Sequence, residues 1–157
     1  MYEARTGFSS IIISGPQRSG TRICAKIIAH DTGKEYIDER EIANQDMRLL
    51  EYYLSKGNKV IQCPGLSHLL QFVNAKKYNA LIIMVRRPID EILASERRIG
   101  WDKIARLNEL YKYGRSEGIP AKEKYLFWDM YQKIAIGKYA REVNYHDLET
   151  HPLFISE

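Results

Sequence analysis

The segment from Ile11 to Arg22 combines residue types that suit the binding of a phosphate or sulfate group. Three isoleucines predict a buried strand, and Gly15-Pro16 ends it. A loop closes at Ser19-Gly20-Thr21, and apolar residues at helical spacing follow. Such a loop aims backbone N–H groups and a helix N-terminus at one point, where they attract an anion. The alternative is that two glycines at this spacing occur by chance in a surface turn.

The spacing of Gly15 and Gly20 fits the nucleotide-binding pattern G-x-x-x-x-G-K-[ST], but the next two residues do not. Thr21 stands where the pattern has the lysine that contacts the β- and γ-phosphates, and Arg22 where it has the magnesium-binding hydroxyl. The cation lies inside the loop instead, at Arg18. These departures disfavour a loop that splits ATP with the help of a metal ion.

An arginine followed by Ser-Gly-Thr resembles the loop of sulfotransferases, which take a sulfuryl group from 3′-phosphoadenosine 5′-phosphosulfate (PAPS) without a metal. The resemblance implies that Arg18 neutralises charge on the bridging oxygen and the sulfuryl group. Gly15 and Gln17 are implied to belong to the same donor site. The resemblance also implies which groups hold the 5′-phosphate. They are the backbone N–H groups of Ser19, Gly20, Thr21 and Arg22, together with the Thr21 hydroxyl.

The segment Leu81–Pro88 also resembles sulfotransferases, above all the tyrosylprotein type and its bacterial relatives. In that family a strand ends in Arg-x-Pro, and the arginine and a serine on the next helix hold the 3′-phosphate of the donor. The resemblance implies these roles for Arg86 and Ser95. The family's serine follows its arginine by eight positions, which is Ala94 counted from Arg86 and Ser95 counted from Arg87.

Two other segments extend the resemblance. Val60–Pro64 resembles the family's central strand and Lys-x-Pro turn, with Gln62 where many relatives have lysine. His68 follows this turn and is a candidate base, although a capping or structural histidine is an equal alternative. Tyr145–Pro152 resembles a Tyr-x-x-Leu-x-x-x-Pro segment that ends the last core strand, and we assign it an architectural role.

An acidic pair follows the predicted second strand. Sulfuryl transfer needs a base for the acceptor's proton, and the resemblance implies Glu39 as that base, with Asp38 second. The end of the second strand lies beside the loop in such folds, which is compatible with this role. The alternative is that the pair caps a helix.

The acceptor is an unidentified molecule with a hydroxyl or amine group. The aromatic segment Tyr125–Tyr131 either lines an acceptor pocket or packs in the core, and the spacing favours the core. Arg97 and Arg98 could attract an acidic acceptor, but a solvated helix face is the simpler interpretation.

The whole chain has 157 residues, 45% of them hydrophobic and 28% charged, with a formal net charge of +4. These values predict one globular domain over residues 1–157 and an anionic ligand, while nucleic acid is possible but not favoured. Cys24 and Cys63 form no disulfide framework. We expect a cytoplasmic protein, since neither a signal peptide nor an apolar run long enough to span a membrane occurs.

Apolar strands alternate with amphipathic helices, which predicts a three-layer α/β/α fold around a mostly parallel five-stranded sheet, as in P-loop NTPases. Predicted strands are 9–14, 35–37, 59–62, 80–85 and 142–145. Predicted helices are 21–30, 41–55, 67–74, one starting at Pro88, 102–113 and 120–137. The interpretation is a PAPS-dependent sulfotransferase with no metal expected. The alternatives are a P-loop nucleoside, nucleotide or nucleic-acid-base kinase, or a nucleotide-binding module that has lost turnover.

Overall fold

The central sheet is entirely parallel in the computed structural model, which describes residues 7–42, 46–101 and 119–156. Its five strands lie in the order β2-β3-β1-β4-β5, with helices on both sides. The bounds are β1 Ser10–Ser14, β2 Glu35–Ile37, β3 Lys59–Gln62, β4 Ala80–Arg86 and β5 Ala140–Asn144. The predicted three-layer α/β/α fold is therefore confirmed.

Strand β1 lies at the centre of the sheet because it is apolar on both faces. Ile12 pairs in register with Ile61 of β3 and Ile82 of β4, and all three side chains are buried. Ile11 and Ile13 point to the opposite face, where a second apolar cluster forms. A parallel strand that helices cover on both faces typically has a continuous run of hydrophobic residues, as Ile11–Ile13 does. The sheet order then brings the carboxyl ends of β3, β1 and β4 together.

The helices divide between the two faces. The described α-helices are α1 Thr21–Thr32, α2 Met47–Lys56, α3 Ala75–Tyr78, α4 Ile89–Arg98, α5 Ala121–Phe127, α6 Lys133–Ile136 and α7 Pro152–Ser156. Helices α1 and α7 cover the face of Ile11 and Ile13, and α2, α4 and α5 cover the face of Ile12. Short 3₁₀ segments lie at Glu39–Glu41, Pro64–Phe72, Gly137–Tyr139 and Tyr145–Leu148.

Several predicted boundaries differ from the structure, most of them by one or two residues. The predicted helix 41–55 begins only at Met47, because Asp46 accepts a hydrogen bond from Arg48 N and caps the helix there. The predicted helix 67–74 is a 3₁₀ segment from Pro64 to Phe72. Strand β5 begins two residues earlier than expected, since Ala140 is buried and the chain turns at Tyr145. The predicted helix 102–113 lies outside the described residues.

The predicted helix 120–137 is a continuous helical run with a π-helical turn, Trp128–Gln132, between α5 and α6. Inside this turn Trp128 is fully buried, and the Gln132 side chain donates to Ser67 O beside the first loop. Trp128 contacts β5 through a hydrogen bond to Glu142, whereas Gln132 contacts the 3₁₀ segment Pro64–Phe72. The aromatic segment is thus partly core, because Tyr125 and Trp128 are buried while Tyr131 is exposed.

Among the helices that the structure describes, none is both long and apolar enough to cross a bilayer.

The packing of α2 leads to a stability prediction. Leu50→Ala should lower the free energy of unfolding by about 2–5 kcal/mol, because Leu50 is fully buried against the sheet. Tyr52→Ala on the same helix is the control, since that side chain is 54% exposed and its loss should change stability by about 0.5 kcal/mol or less. Urea denaturation measures both. Equal effects of the two substitutions would contradict the packing described here.

Candidate functional site

The loop between β1 and α1 has a backbone that only glycine accommodates at two points. Gly15 and Gly20 have φ angles of +150° and +97°. A Cβ at Gly15 would lie 2.9 Å from Ser19 Oγ and from Val85 O, and one at Gly20 would lie 2.5 Å from Tyr145 Cδ2. The predicted loop is therefore a tightly enclosed turn at the carboxyl end of β1.

Helix α1 starts in this loop without a side-chain cap. Gly20 is its N-cap residue and provides no capping hydrogen bond, and the first turn contains no acidic residue. The first N–H groups of an α-helix have no partner within the helix, so an uncapped N-terminus favours an anion. Ser19, whose side chain could have capped the helix, instead donates from Oγ to Pro16 O at 2.5 Å. The loop thus leaves the helix N-terminus available to a ligand.

The base of the loop is anchored to the turn after β3. Ser67 Oγ accepts a hydrogen bond from Gly15 N at 3.3 Å and lies 2.7 Å from Ser14 Oγ. Ser14, Gly15 and Ser67 are all buried. Gln17, a predicted donor-binding residue, lies in the turn of the loop and is partly exposed.

Guanidinium groups surround the loop. Arg18, itself in a left-handed conformation with φ +67°, donates from Nε to Ser95 Oγ at 2.9 Å. Arg98 Nη2 lies 3.3 Å from the same oxygen, and Arg87 Nη1 donates to Arg18 O at 2.8 Å. Burial, followed by the charges of Arg98, Arg87 and Arg22, lowers the pKa of Arg18. Like charges at such distances repel one another, and a bound anion would relieve that repulsion.

Of two neighbouring arginines, Arg87 faces the loop and Arg86 does not. Arg86, predicted to hold the 3′-phosphate, points away from the loop and pairs with Asp129 at 2.6 Å and Glu142 at 3.0 Å. Arg87 reaches the loop because successive side chains at the end of a strand point in opposite directions. Ser95, eight residues after Arg87, is buried beside Arg18, and its role at the 3′-phosphate stays a prediction.

Sequence reasoning missed Arg87 and Arg98 as site residues. Their spacing from Ser95 was the available signal. Arg87 precedes Ser95 by eight positions, and Arg98 follows it by three, on the same face of α4. The sequence pattern favours a solvated helix face for Arg98 instead. Arg87 also stacks on the ring of Tyr145, with 4.0 Å between its guanidinium carbon and the ring centroid.

Thr21 stands where P-loops usually have a lysine, and its hydroxyl accepts a hydrogen bond from another side chain of the protein. Gln62, at the end of β3, donates from Nε2 to Thr21 Oγ1 at 3.0 Å, and its Oε1 accepts from Glu39 N at 3.2 Å. The neutral amide therefore joins the loop to the turn that contains Glu39. It contributes alignment and no charge.

Asp38 has a structural role. Its carboxylate accepts from Tyr36 Oη at 2.7 Å and from Arg40 N at 3.1 Å, and it pairs with Arg22 at 3.3 Å. Burial would raise the pKa of Asp38, but the hydrogen bonds from Tyr36 and Arg40 and the charge of Arg22 lower it to about 2. Asp38 is the N-cap residue of the segment Glu39–Glu41, in agreement with the capping alternative, and its role as a second base stays a prediction.

Glu39 and His68 both lie close to residues that contact the loop. Glu39 Oε1 lies 3.4 Å from Arg22 Nη2, and the Glu39 side chain is 33% exposed. His68 borders a cavity of about 300 Å³ that also involves Lys124 and Phe127. Burial and the charge of Lys124 lower the pKa of His68, which favours the neutral imidazole. Within the described residues His68 Nδ1 is buried and has no hydrogen-bond partner.

Comparisons with known proteins support the fold. No protein-family model matches the chain, and no curated protein shows significant similarity to it. Shikimate kinase from Acinetobacter baumannii, solved with shikimate, is similar with a TM-score of 0.53 and 12% identity, over 90% of this chain and 86% of that one. Shikimate kinase from Bacteroides thetaiotaomicron is similar with a TM-score of 0.57 and 12% identity, over 95% and 93%.

Fold and loop together define a three-layer α/β/α protein of the P-loop type. At 12% identity the likeness extends to the fold alone. The comparisons lend no support to PAPS as the donor.

The hydrogen bonds of Asp38 predict a pH-dependent contribution to stability. The pKa falls from 3.8 to about 2 on folding, so the carboxylate stabilises the protein above pH 4. That contribution, on the order of 2 kcal/mol, is lost as the pH falls through 2. Asp38→Asn should therefore lower the free energy of unfolding at pH 7, and the difference from wild type should shrink between pH 5 and pH 2. Urea denaturation across this range tests it; a pH-independent difference would contradict the assignment.

Proposed function

We propose that this protein is a P-loop transferase that binds the phosphate groups of a nucleotide donor at the loop Gly15–Thr21 and transfers a terminal group to a small molecule. The observation that carries the proposal is the uncapped N-terminus of α1 with the guanidinium groups of Arg18, Arg87 and Arg98 beside it. Each arginine donates in a planar fork that suits phosphate and sulfate oxygens.

The side chains at the loop favour PAPS as the donor. An ATP site uses a lysine on the β- and γ-phosphates and a hydroxyl on magnesium, and this chain has Thr21 and Arg22 at those positions. In the proposed complex the N–H groups of Gly20, Thr21 and Arg22 bind the 5′-phosphate. The N–H of Ser19, which the resemblance implied as a fourth donor, is hydrogen-bonded to Pro16 O at 3.2 Å instead. Arg18 lies against the bridging oxygen and the sulfuryl group. Ser95 with Arg98, rather than Arg86, binds the 3′-phosphate.

The proposed reaction is an in-line displacement at sulfur. The acceptor oxygen forms a bond to sulfur, and the bond between sulfur and the bridging oxygen breaks, which leaves 3′-phosphoadenosine 5′-phosphate (PAP). The acceptor's proton passes to Glu39, or to His68 if the acceptor lies in the neighbouring cavity. Arg18 stabilises the negative charge that develops on the leaving phosphate.

The second candidate is a P-loop kinase, which the similarity to shikimate kinases favours. Such an enzyme would bind ATP at the same loop and transfer its γ-phosphoryl group to a small molecule. It would need a different arrangement for magnesium, because Arg22 pairs with Asp38 and Glu39 instead of offering a hydroxyl.

Calorimetric titration of the wild-type protein with PAP, with ATP, and with ATP plus magnesium separates these functions. We expect tighter binding of PAP than of either form of ATP. Magnesium-dependent binding of ATP would instead support the kinase, and absence of binding to all three would contradict the proposal. Transfer of labelled sulfate from PAPS then distinguishes an enzyme from a binding module without turnover.

Two arginine substitutions on one helix test the site itself. Arg98→Ala should raise the dissociation constant for PAP by about tenfold or more, since a hydrogen bond to a charged group contributes about 1.5–3 kcal/mol. Arg97→Ala removes the same charge from an exposed neighbouring position of α4 and should leave binding unchanged. Circular dichroism confirms folding of both variants. An equal loss of PAP affinity in both variants would indicate only a general effect of net charge and would contradict the site.

A further inference from the structure

A cluster of two histidines and an aspartate joins the end of α1 to the segment before α7. His30 Nδ1 lies 3.0 Å from Asp31 Oδ1, and His151 Nε2 lies 3.0 Å from Asp31 Oδ1 and 3.1 Å from Oδ2. One ligand atom from each of the three residues lies within 4.8 Å of the others. The cluster shares no residue with the loop described above.

We propose that His30, Asp31 and His151 bind a divalent transition-metal ion of the zinc type. Zinc takes imidazole nitrogens and carboxylate oxygens as ligands with bonds of about 2.0–2.2 Å, so neighbouring corners of its tetrahedron lie about 3.3 Å apart. The observed separations of 3.0 and 3.1 Å need to open by only a few tenths of an ångström. Water would fill the fourth position, because His30 is exposed.

Electrostatics favour a cation at this position. Helix α1 has 12 residues, and its C-terminal end carries partial negative charge from carbonyl groups without helical partners. Asp31 adds a carboxylate in that last turn, where a negative charge opposes the helix dipole. Hydrogen bonds from the two histidines offset this in part, whereas a divalent cation between the three side chains would offset it directly.

The hydrogen bonds of His151 show what metal binding requires. Its Nδ1 accepts from Leu153 N at 3.1 Å, so the proton of the neutral ring is on Nε2, facing Asp31. To bind the ion through Nε2, the ring moves that proton to Nδ1 and gives up the bond from Leu153 N. His30 Nδ1 donates to the Asp31 carboxylate, so His30 also moves a proton, from Nδ1 to Nε2, before it binds the ion through Nδ1. Both rings therefore change tautomer when the ion binds.

The ion would fasten the C-terminal segment to α1, the helix that begins at the anion-binding loop. In the ion-free protein the contact rests on hydrogen bonds to Asp31 and an edge-to-face contact of the two rings, with centroids 6.0 Å apart. A ligand that binds the folded state alone stabilises it according to its concentration and affinity. This inference is independent of the proposed transferase function.

Titration of the full chain with zinc chloride at pH 7.5, followed by calorimetry and thermal unfolding, tests the site. We expect one zinc ion per chain and a rise in melting temperature. His30→Gln should weaken zinc binding at least tenfold. Loss of a residue that only hydrogen-bonds to a metal ligand already weakens binding by about tenfold, and His30 is proposed as a ligand itself. This variant keeps the bond between His151 and Leu153, so it should fold without metal as the wild type does.

His146→Gln is the matched control. His146 also contacts two carboxylates, Glu91 at 2.9 Å and Glu149 at 2.7 Å, but through different ring nitrogens, so the three cannot share one ion. Zinc binding should be unchanged in this variant. The proposal is overturned if the wild type does not bind zinc, if His30→Gln binds zinc as tightly as wild type, or if His146→Gln loses as much affinity.

Discussion

An uncapped helix N-terminus surrounded by arginines is the constraint on which the site depends. Gly20 begins α1 without a side-chain hydrogen bond, and Arg18 and Arg98 both donate to Ser95 within reach of that end. Positive partial charges on the helix and full charges on the arginines repel one another in a partly buried place. The fold tolerates this arrangement because the central sheet and the anchored loop hold the groups in position. A bound anion would convert the repulsion into attraction.

Several carboxylates near this point pair with arginines, among them Glu91, whose Oε1 lies 3.5 Å from Arg87 Nε, and Glu96 partly offsets the charge of Arg18. Asp38 and Glu39 pair with Arg22, and Arg86 pairs with Asp129 and Glu142 on the opposite side of β4. Gln62 holds Thr21 with a neutral amide. Three arginines contact the loop or Ser95 directly: Arg18, Arg87 and Arg98. In the proposed complex, guanidinium groups take the place of the lysine and magnesium that contact the phosphates in P-loop nucleotide hydrolases.

The sequence predicted the features that neighbouring residues determine. It did not predict those that depend on contacts between distant parts of the chain. The buried runs Ile11–Ile13 and Leu81–Val85 identified the central strands, because apolar burial on both faces leaves a local pattern. The glycine spacing identified the loop. The sequence could not predict that Arg87, and not Arg86, faces the loop, because a shift of one residue at the end of β4 decides which side chain points there. His151 and Asp31 are 120 positions apart, and only the docking of α7 against α1 brings them together.

The most direct test of the central claim is a crystal structure of the wild-type protein grown with PAP. The account predicts a phosphate group within hydrogen-bonding distance of the N–H groups of Gly20 and Thr21 and of the Arg18 guanidinium. A structure in which a side chain of the protein caps α1, while PAP is bound elsewhere or not at all, would contradict it.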